Sequence, residues 1–147
     1  MNYTEKRGNL FELADEYVLA HCISLDCKMG AGIATEFNLR YRGMKEMLVS
    51  KISNYNLSVP CTIPAFSKGQ LKVINLITKN KYYDKPTYDS ITKTIIQMKE
   101  ICIRQNVKKL AIPKIGCGLD KLKWTRVKSI ILDVFKDTDI EIAVRYL

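Results

Sequence analysis

One histidine in 147 residues, His21, and five cysteines without a single C-x-x-C pair leave little material for metal chemistry. A structural zinc site draws four ligands from these residue types at set spacings, so no metal is expected. The cysteines (Cys22, Cys27, Cys61, Cys102 and Cys117) are odd in number. That argues against a disulfide scaffold and for reduced, mostly buried thiols in a reducing compartment. No apolar run approaches the roughly 18 residues of a membrane helix. The opening "MNYTEKRGNLFELADE" carries charge where the apolar core of a signal peptide would lie. These absences predict a soluble cytoplasmic protein with no membrane partner, nuclear being the alternative in a eukaryote. Repeats, low-complexity tracts and linker-like stretches are missing too, which predicts one domain over residues 1–147.

What is present is a chain with 47% apolar residues, enough for a real core. Its net charge of +9 is unevenly placed: residues 79–147 hold 15 Lys and Arg against 8 Asp and Glu, leaving +2 for the first 78. A basic second half suits a phosphate-bearing or polyanionic partner, and equally a solvated surface.

Short apolar runs rich in branched residues, "YVLAHCIS" (17–24), "LKVINLIT" (71–78), "KKLAIP" (108–113) and "IEIAVRYL" (140–147), read as buried strands. Helical spacing fills the gaps. Residues 30–52 read as one or two helices broken near Gly43. Ile91, Ile95, Met98 and Cys102 follow a Pro-Thr start, and Leu122, Val127, Ile131 and Val134 share a face over 120–136. Two prolines demote 55–70 to an edge strand or loop. Strands alternating with helices predict an α/β fold, a mixed or parallel sheet covered on both faces.

In such sheets ligands bind outside the carboxyl ends of the strands. Two of those corners are rich in glycine: Gly30-Ala31-Gly32 after the first strand, and Gly116-Cys117-Gly118 after the third. Glycines let backbone amides approach a phosphate closely, and a following helix start favours negative charge. Tight turns use the same residues without chemistry, and neither corner fits a P-loop or G-x-G-x-x-G pattern. Lys79 ends the second run. It reads as a solvated terminus or as an amine that becomes a nucleophile when burial or nearby cations favour its free form. Asp120 reads as its proton-handling partner, or as an acid complementing a helix dipole in the first turn.

Together "GNLFE", "LAHCISLDCKMGAGIA", "LITK" before "KPTYDSI", "PKIGCGLDKLKW" and "DTDIEIAVRYL" resemble, in order and spacing, a macrodomain. The branch is that of the terminal ADP-ribose protein glycohydrolases, which also deacylate O-acyl-ADP-ribose. The resemblance runs from about Gly8 to Leu147. It implies a three-layer α/β/α fold with a central mixed sheet, ADP-ribose as ligand, and no cofactor. Lys79 and Asp120 match the family's catalytic pair. Leu10 matches the residue at the adenine end and Ser24 a serine of the ligand cleft. Gly30, Ala31 and Gly32 join the ligand-binding set. The run Lys114, Ile115, Gly116, Cys117, Gly118, Leu119 to Asp120 matches the loop around diphosphate and distal ribose, and Leu147 lies near the adenosine. One position departs: where the family has an acid, Asn9 offers an amide whose oxygen still accepts a hydrogen bond but carries no charge.

The implied activity is removal of mono-ADP-ribose from Glu and Asp side chains of proteins, with deacylation of O-acetyl-ADP-ribose, by a monomer. Two alternatives stay open: an eraser of ADP-ribose on nucleic-acid bases, and a non-catalytic reader. His21 and Cys22 lie inside a strand and read as packing. Cys117 lacks a second histidine to activate it and reads as a small loop residue. Trp124, Tyr82, Tyr83 and Tyr88 read either as a border of the cleft or, better, as surface or core packing.

Overall fold

The structure, a computed structural model, describes residues 1–118 and 120–147. Its sheet is built from β1 (Asn2–Arg7), β2 (Val18–Ser24), β3 (Cys61–Ser67), β4 (Gln70–Lys79), β5 (Lys109–Ile112) and β6 (Glu141–Tyr146). The strand order is β1-β6-β5-β2-β4-β3. Every neighbouring pair is parallel except β3 and β4, which form an antiparallel hairpin at one edge. The helices are α1 (Ile33–Arg40), α2 (Met44–Asn54), α3 (Tyr88–Arg104) and α4 (Trp124–Phe135), with a 3-10 turn at Leu10–Leu13.

Strand alternation divides the core into two. Ile74 and Leu76 of β4, Leu110 and Ile112 of β5, and Ile142 and Val144 of β6 face α3 and α4. Val73, Ile77, Ala111 and Ala143 face the other way, onto α1, α2 and the 3-10 turn. Each central strand is therefore apolar at consecutive positions, which is why it reads as an unbroken run. The helices supply complementary stripes. Ile91, Ile95, Met98 and Cys102 of α3 and Val127, Ile131 and Phe135 of α4 are each fully buried. Burying one such large side chain contributes about 1.5–3 kcal/mol.

Two local features matter for the cleft described below. A capping box starts α3: Ser90 N–H donates to Thr87 Oγ1 at 3.0 Å, and Thr87 N–H to Ser90 Oγ at 3.1 Å. Ser90 Oγ also donates to the Thr78 carbonyl at 2.9 Å, fixing the helix start to the end of β4. Beneath α1, His21 stacks on Phe37 with ring centroids 3.8 Å apart, and its Nε2 meets Asn75 Oδ1 at 2.7 Å. Burial pushes the imidazole down to about 4, against the hydrogen bond its ring donates to Asn75.

Three details differ from expectation. β1 was not foreseen, because its residues are mostly polar. Residues 120–123 precede α4 rather than open it, so Leu122 packs on the core from a loop and Phe135, not Val134, completes the buried face. For the same reason no acid occupies the first turn of α4, and the reading of Asp120 as a dipole complement falls. Among the described residues no helix is long and apolar enough to cross a membrane, and none cluster as metal ligands.

Candidate active site

A cleft of about 1140 Å³ runs across the carboxyl ends of β1, β6, β5, β2 and β4. From the end of β1 to that of β4 is four strand spacings, roughly 19 Å. That length suits an extended ligand with two distinct ends.

At the β4 end lies Lys79. Its Nζ donates to Asp120 Oδ1 at 2.5 Å, and the two side chains are only 12% and 15% exposed. Forty-one residues separate them in sequence. A β-bulge displaces the ladder between Ile23 and Ser24, so Ser24 lies opposite Lys79 rather than Thr78.

Asp120 comes from the corner after β5. There Gly116 has φ 75°, and a Cβ would meet Ile91 Cδ1 and Leu122 Cδ1 at 3.1 Å. The turn is closed by Leu122 N–H donating to the Gly116 carbonyl at 2.8 Å. Gly118 is different: a Cβ there would meet nothing within 4 Å. The first glycine is demanded by the protein itself, whereas the second leaves open space along the cleft. Lys114, Ile115, Gly116 and Gly118 line the cleft. Cys117 does not. Its Sγ approaches the Ile115 carbonyl at 3.3 Å and packs on the α3–α4 core, and burial pushes the thiol up to about 11. Leu119 lies outside the described residues.

The β2 corner contributes Ser24, Gly30, Ala31 and Gly32. Gly32 has φ 63° and N-caps α1 without a side-chain hydrogen bond. The uncapped helix start, with Ile33 and Ala34 lining the cleft, offers amide donors to an anion. At the far end, Asn9 Oδ1 accepts from Phe11 N–H at 3.0 Å and caps the 3-10 turn that buries Leu10. The amide oxygen expected at a ligand base is thus already engaged. Leu147 borders this end and is 91% exposed.

Several lining residues go beyond those the resemblance names. Cys22 reaches the cleft floor beside the ion pair, where burial raises its thiol well above the ordinary range. Tyr82 stands at the rim next to Lys79. Lys28 and Arg145 join Lys114 as cations against Glu36 and Asp120, leaving a net positive lining. Arg145 and Tyr146 follow from the rule that ligands sit at strand carboxyl ends, once β6 is in place beside β1 and β5. Tyr82 is the one of the four aromatics weighed for the cleft border that lines it.

The chain matches the Macro domain family over residues 22–131 and belongs to that family. It is similar to the human protein named ADP-ribose glycohydrolase OARD1, 39% identical over 141 residues, covering 96% of this chain and 89% of the relative. In fold it is similar to the macrodomain of Mycobacterium tuberculosis DarG, with a TM-score of 0.85 at 21% identity over 99% of this chain and 97% of that one. A second fold likeness is to Thermosipho africanus DarTG in complex with ADP-ribose, with a TM-score of 0.80 at 18% identity over 99% of this chain and 42% of that one. The three-layer α/β/α arrangement is that of a macrodomain.

Proposed function

We propose that this protein is an ADP-ribosyl hydrolase that removes mono-ADP-ribose from Glu and Asp side chains of proteins and also deacylates O-acetyl-ADP-ribose. The observation that carries the reading is the shielded pair of Lys79 and Asp120, 2.5 Å apart at one end of a long, positively lined cleft. A relative of nearly the same length named as an ADP-ribose glycohydrolase supports the ligand class.

In this reading the distal ribose meets Lys79, Asp120 and Ser24. The diphosphate lies between the two glycine corners, and the adenosine reaches Asn9, Leu10 and Leu147. The reaction begins when the Lys79 ammonium passes a proton to Asp120 along their hydrogen bond, leaving a free amine. The amine attacks the anomeric carbon of the ester; a carbon–nitrogen bond forms, the bond to the acyl oxygen breaks, and the carboxylate departs with its electron pair. The adduct nitrogen releases a proton to the departing carboxylate, and its lone pair breaks the bond to the ring oxygen, which takes the proton held by Asp120; the ring-opened adduct is an iminium. Water, deprotonated by the Asp120 carboxylate once that group has released its own proton, adds to the same carbon. The carbon–nitrogen bond then breaks, the amine is regenerated, and ADP-ribose leaves. The net change is ester plus water to ADP-ribose plus carboxylic acid.

The test is release of free ADP-ribose from glutamyl-modified protein. Wild type is expected to release it; Lys79→Ala is expected to bind ADP-ribose and release none. Full activity in that variant would end the mechanism.

A second reading, ADP-ribose on a nucleic-acid base, is favoured by one observation. Tyr82 and Tyr83, 59% and 70% exposed and edge-to-face at 5.2 Å, stand beside Lys79 with Lys81 and Lys85 close in sequence. Exposed aromatics among lysines suit stacked bases and phosphates. Rates on modified single-stranded DNA and on modified protein, compared at one salt concentration, separate the two readings.

A further inference from the structure

Asp26 lies outside the cleft lining, yet its carboxylate collects donors from three residues that line it. Oδ1 accepts from the Ser24 hydroxyl and from Lys28 N–H at 3.2 Å; Oδ2 accepts from Tyr82 N–H at 2.9 Å. Backbone bonds run alongside: Leu25 N–H to the Lys79 carbonyl at 2.8 Å and Asp26 N–H to the Asn80 carbonyl at 3.2 Å. One half-buried acid thus ties the loop leading to Gly30–Gly32 onto the segment that follows Lys79. The site's reactive end and its first glycine corner are held together by it.

We propose that Asp26 is a positioning residue that sets the polarity of Ser24. A serine hydroxyl has one proton to donate. Here that proton is committed to Asp26, so Ser24, buried and placed opposite Lys79, turns only lone pairs towards the cleft. Ser24 therefore reads a hydrogen-bond donor on the ligand, a sugar hydroxyl, and turns away a second acceptor such as a phosphate oxygen. This keeps the diphosphate from sliding towards Lys79 and fixes the register of the ligand along the cleft. The inference rests on the ADP-ribose reading.

Asp26→Asn tests it with almost no change of shape. One carboxylate oxygen becomes an NH2 group, and of the three donors facing the oxygens only the hydroxyl can turn, so the NH2 takes the Oδ1 side, gives up the longer Lys28 N–H bond and leaves Tyr82 N–H on the remaining oxygen. Ser24 must then accept from the new amide and point its own proton at the ligand hydroxyl. ADP-ribose affinity measured by calorimetry is expected to fall about tenfold in Asp26→Asn. Adding Ser24→Ala is expected to leave that loss unchanged or to relieve part of it, and Asp26→Glu, which keeps both acceptors, to recover affinity. Affinity in Asp26→Asn within twofold of wild type, or losses that multiply in the double variant, would overturn the proposal.

If Asp26→Asn does not fold, Ser24→Ala decides the matter. It should lose affinity for ADP-ribose but not for an analogue lacking the distal-ribose hydroxyls, and equal losses for both ligands overturn the assignment. All of these are binding measurements, so failure of Lys79 as nucleophile leaves them interpretable. If wild type does not bind ADP-ribose, the functional reading fails. Amide exchange at Lys28 and Tyr82 then tests the latch: at least tenfold faster exchange in Asp26→Ala, which removes both acceptors, supports it, and unchanged exchange refutes it.

Discussion

At the amino ends of β5 and β6 a depression of about 430 Å³ is bordered by two ion pairs, Lys99–Asp137 at 3.0 Å and Lys108–Asp139 at 3.1 Å. At the carboxyl ends of the same sheet, Lys79 and Asp120 pair at 2.5 Å inside the long cleft. The partners are of the same kinds and their surroundings are not. Asp137 and Asp139 are more than 70% exposed, so water and salt screen them. Lys79 and Asp120 are largely shielded, between two glycine corners that leave room for a ligand. A lysine and an aspartate become a candidate for chemistry when solvent is excluded and space for a reactant is left beside them.

The sharpest way to break this contrast is to neutralise the shielded pair. Lys79→Met and Asp120→Asn are each expected to lower the single-turnover rate of ADP-ribose release by about 10³-fold or more. The double variant should be little slower than either single one, because the two act as one unit. Rates that fall in proportion to the product of the single losses would mean independent roles.

The glycines of the Gly116–Gly118 corner sharpen the comparison next. In Gly116→Ala a Cβ must enter at φ 75° and crowd Ile91 and Leu122, which is expected to destabilise the fold by about 2 kcal/mol in urea unfolding. Gly118→Ala meets no protein atom and should change stability by less than about 0.5 kcal/mol. Its expected effect is a loss of ADP-ribose affinity alone. Unchanged affinity in Gly118→Ala would remove this corner from the ligand's path.

How much of this was legible in the sequence depended on where each contact is made. β2, β4, β5 and β6 stood out because both faces are buried, which writes an unbroken apolar run. β1 did not, because its residues are mostly polar; its Glu5 is met by Tyr3 Oη on the same strand at 2.6 Å and, across the fold, by Trp124 Nε1 at 3.2 Å and Lys128 Nζ at 3.3 Å. Its tolerance of charge comes from α4, more than a hundred residues away. The same holds in the site. Lys79, Asp120 and the glycines sit in recognisable local patterns, but their 2.5 Å contact exists only because parallel strand pairing brings two corners together. Asp26 escaped notice because a donor it anchors, the Tyr82 amide, is a backbone group 56 residues away.

A pH experiment probes the buried polar group beneath the cleft. His21 is fully buried, and its folded value of about 4 lies below the unfolded value of about 6.5. Between these values the unfolded chain binds the extra proton, so stability is full above pH 6.5 and is lost as pH falls towards 4. The loss is expected to reach about 3 kcal/mol. Urea unfolding across this range should show the decline, and His21→Gln should flatten it. An equal decline in that variant would assign it to the carboxylates instead.

The smallest effect belongs to the exposed pairs. Lys108→Ala breaks the Lys108–Asp139 pair, leaves Asp139 solvated rather than stranded, and touches nothing in the cleft. Removing an exposed charge that water replaces costs little, so the melting temperature should stay within the scatter of replicates and ADP-ribose release should be unchanged. Lys99→Ala sharpens the test, because Lys99 is only 24% exposed and lines the depression together with Cys102 and Ile103. A small loss of stability there, insensitive to salt, would report lost packing rather than lost charge. A loss that salt abolishes would instead show that this end of the sheet uses its charges for stability, and the contrast with Lys79 and Asp120 would narrow.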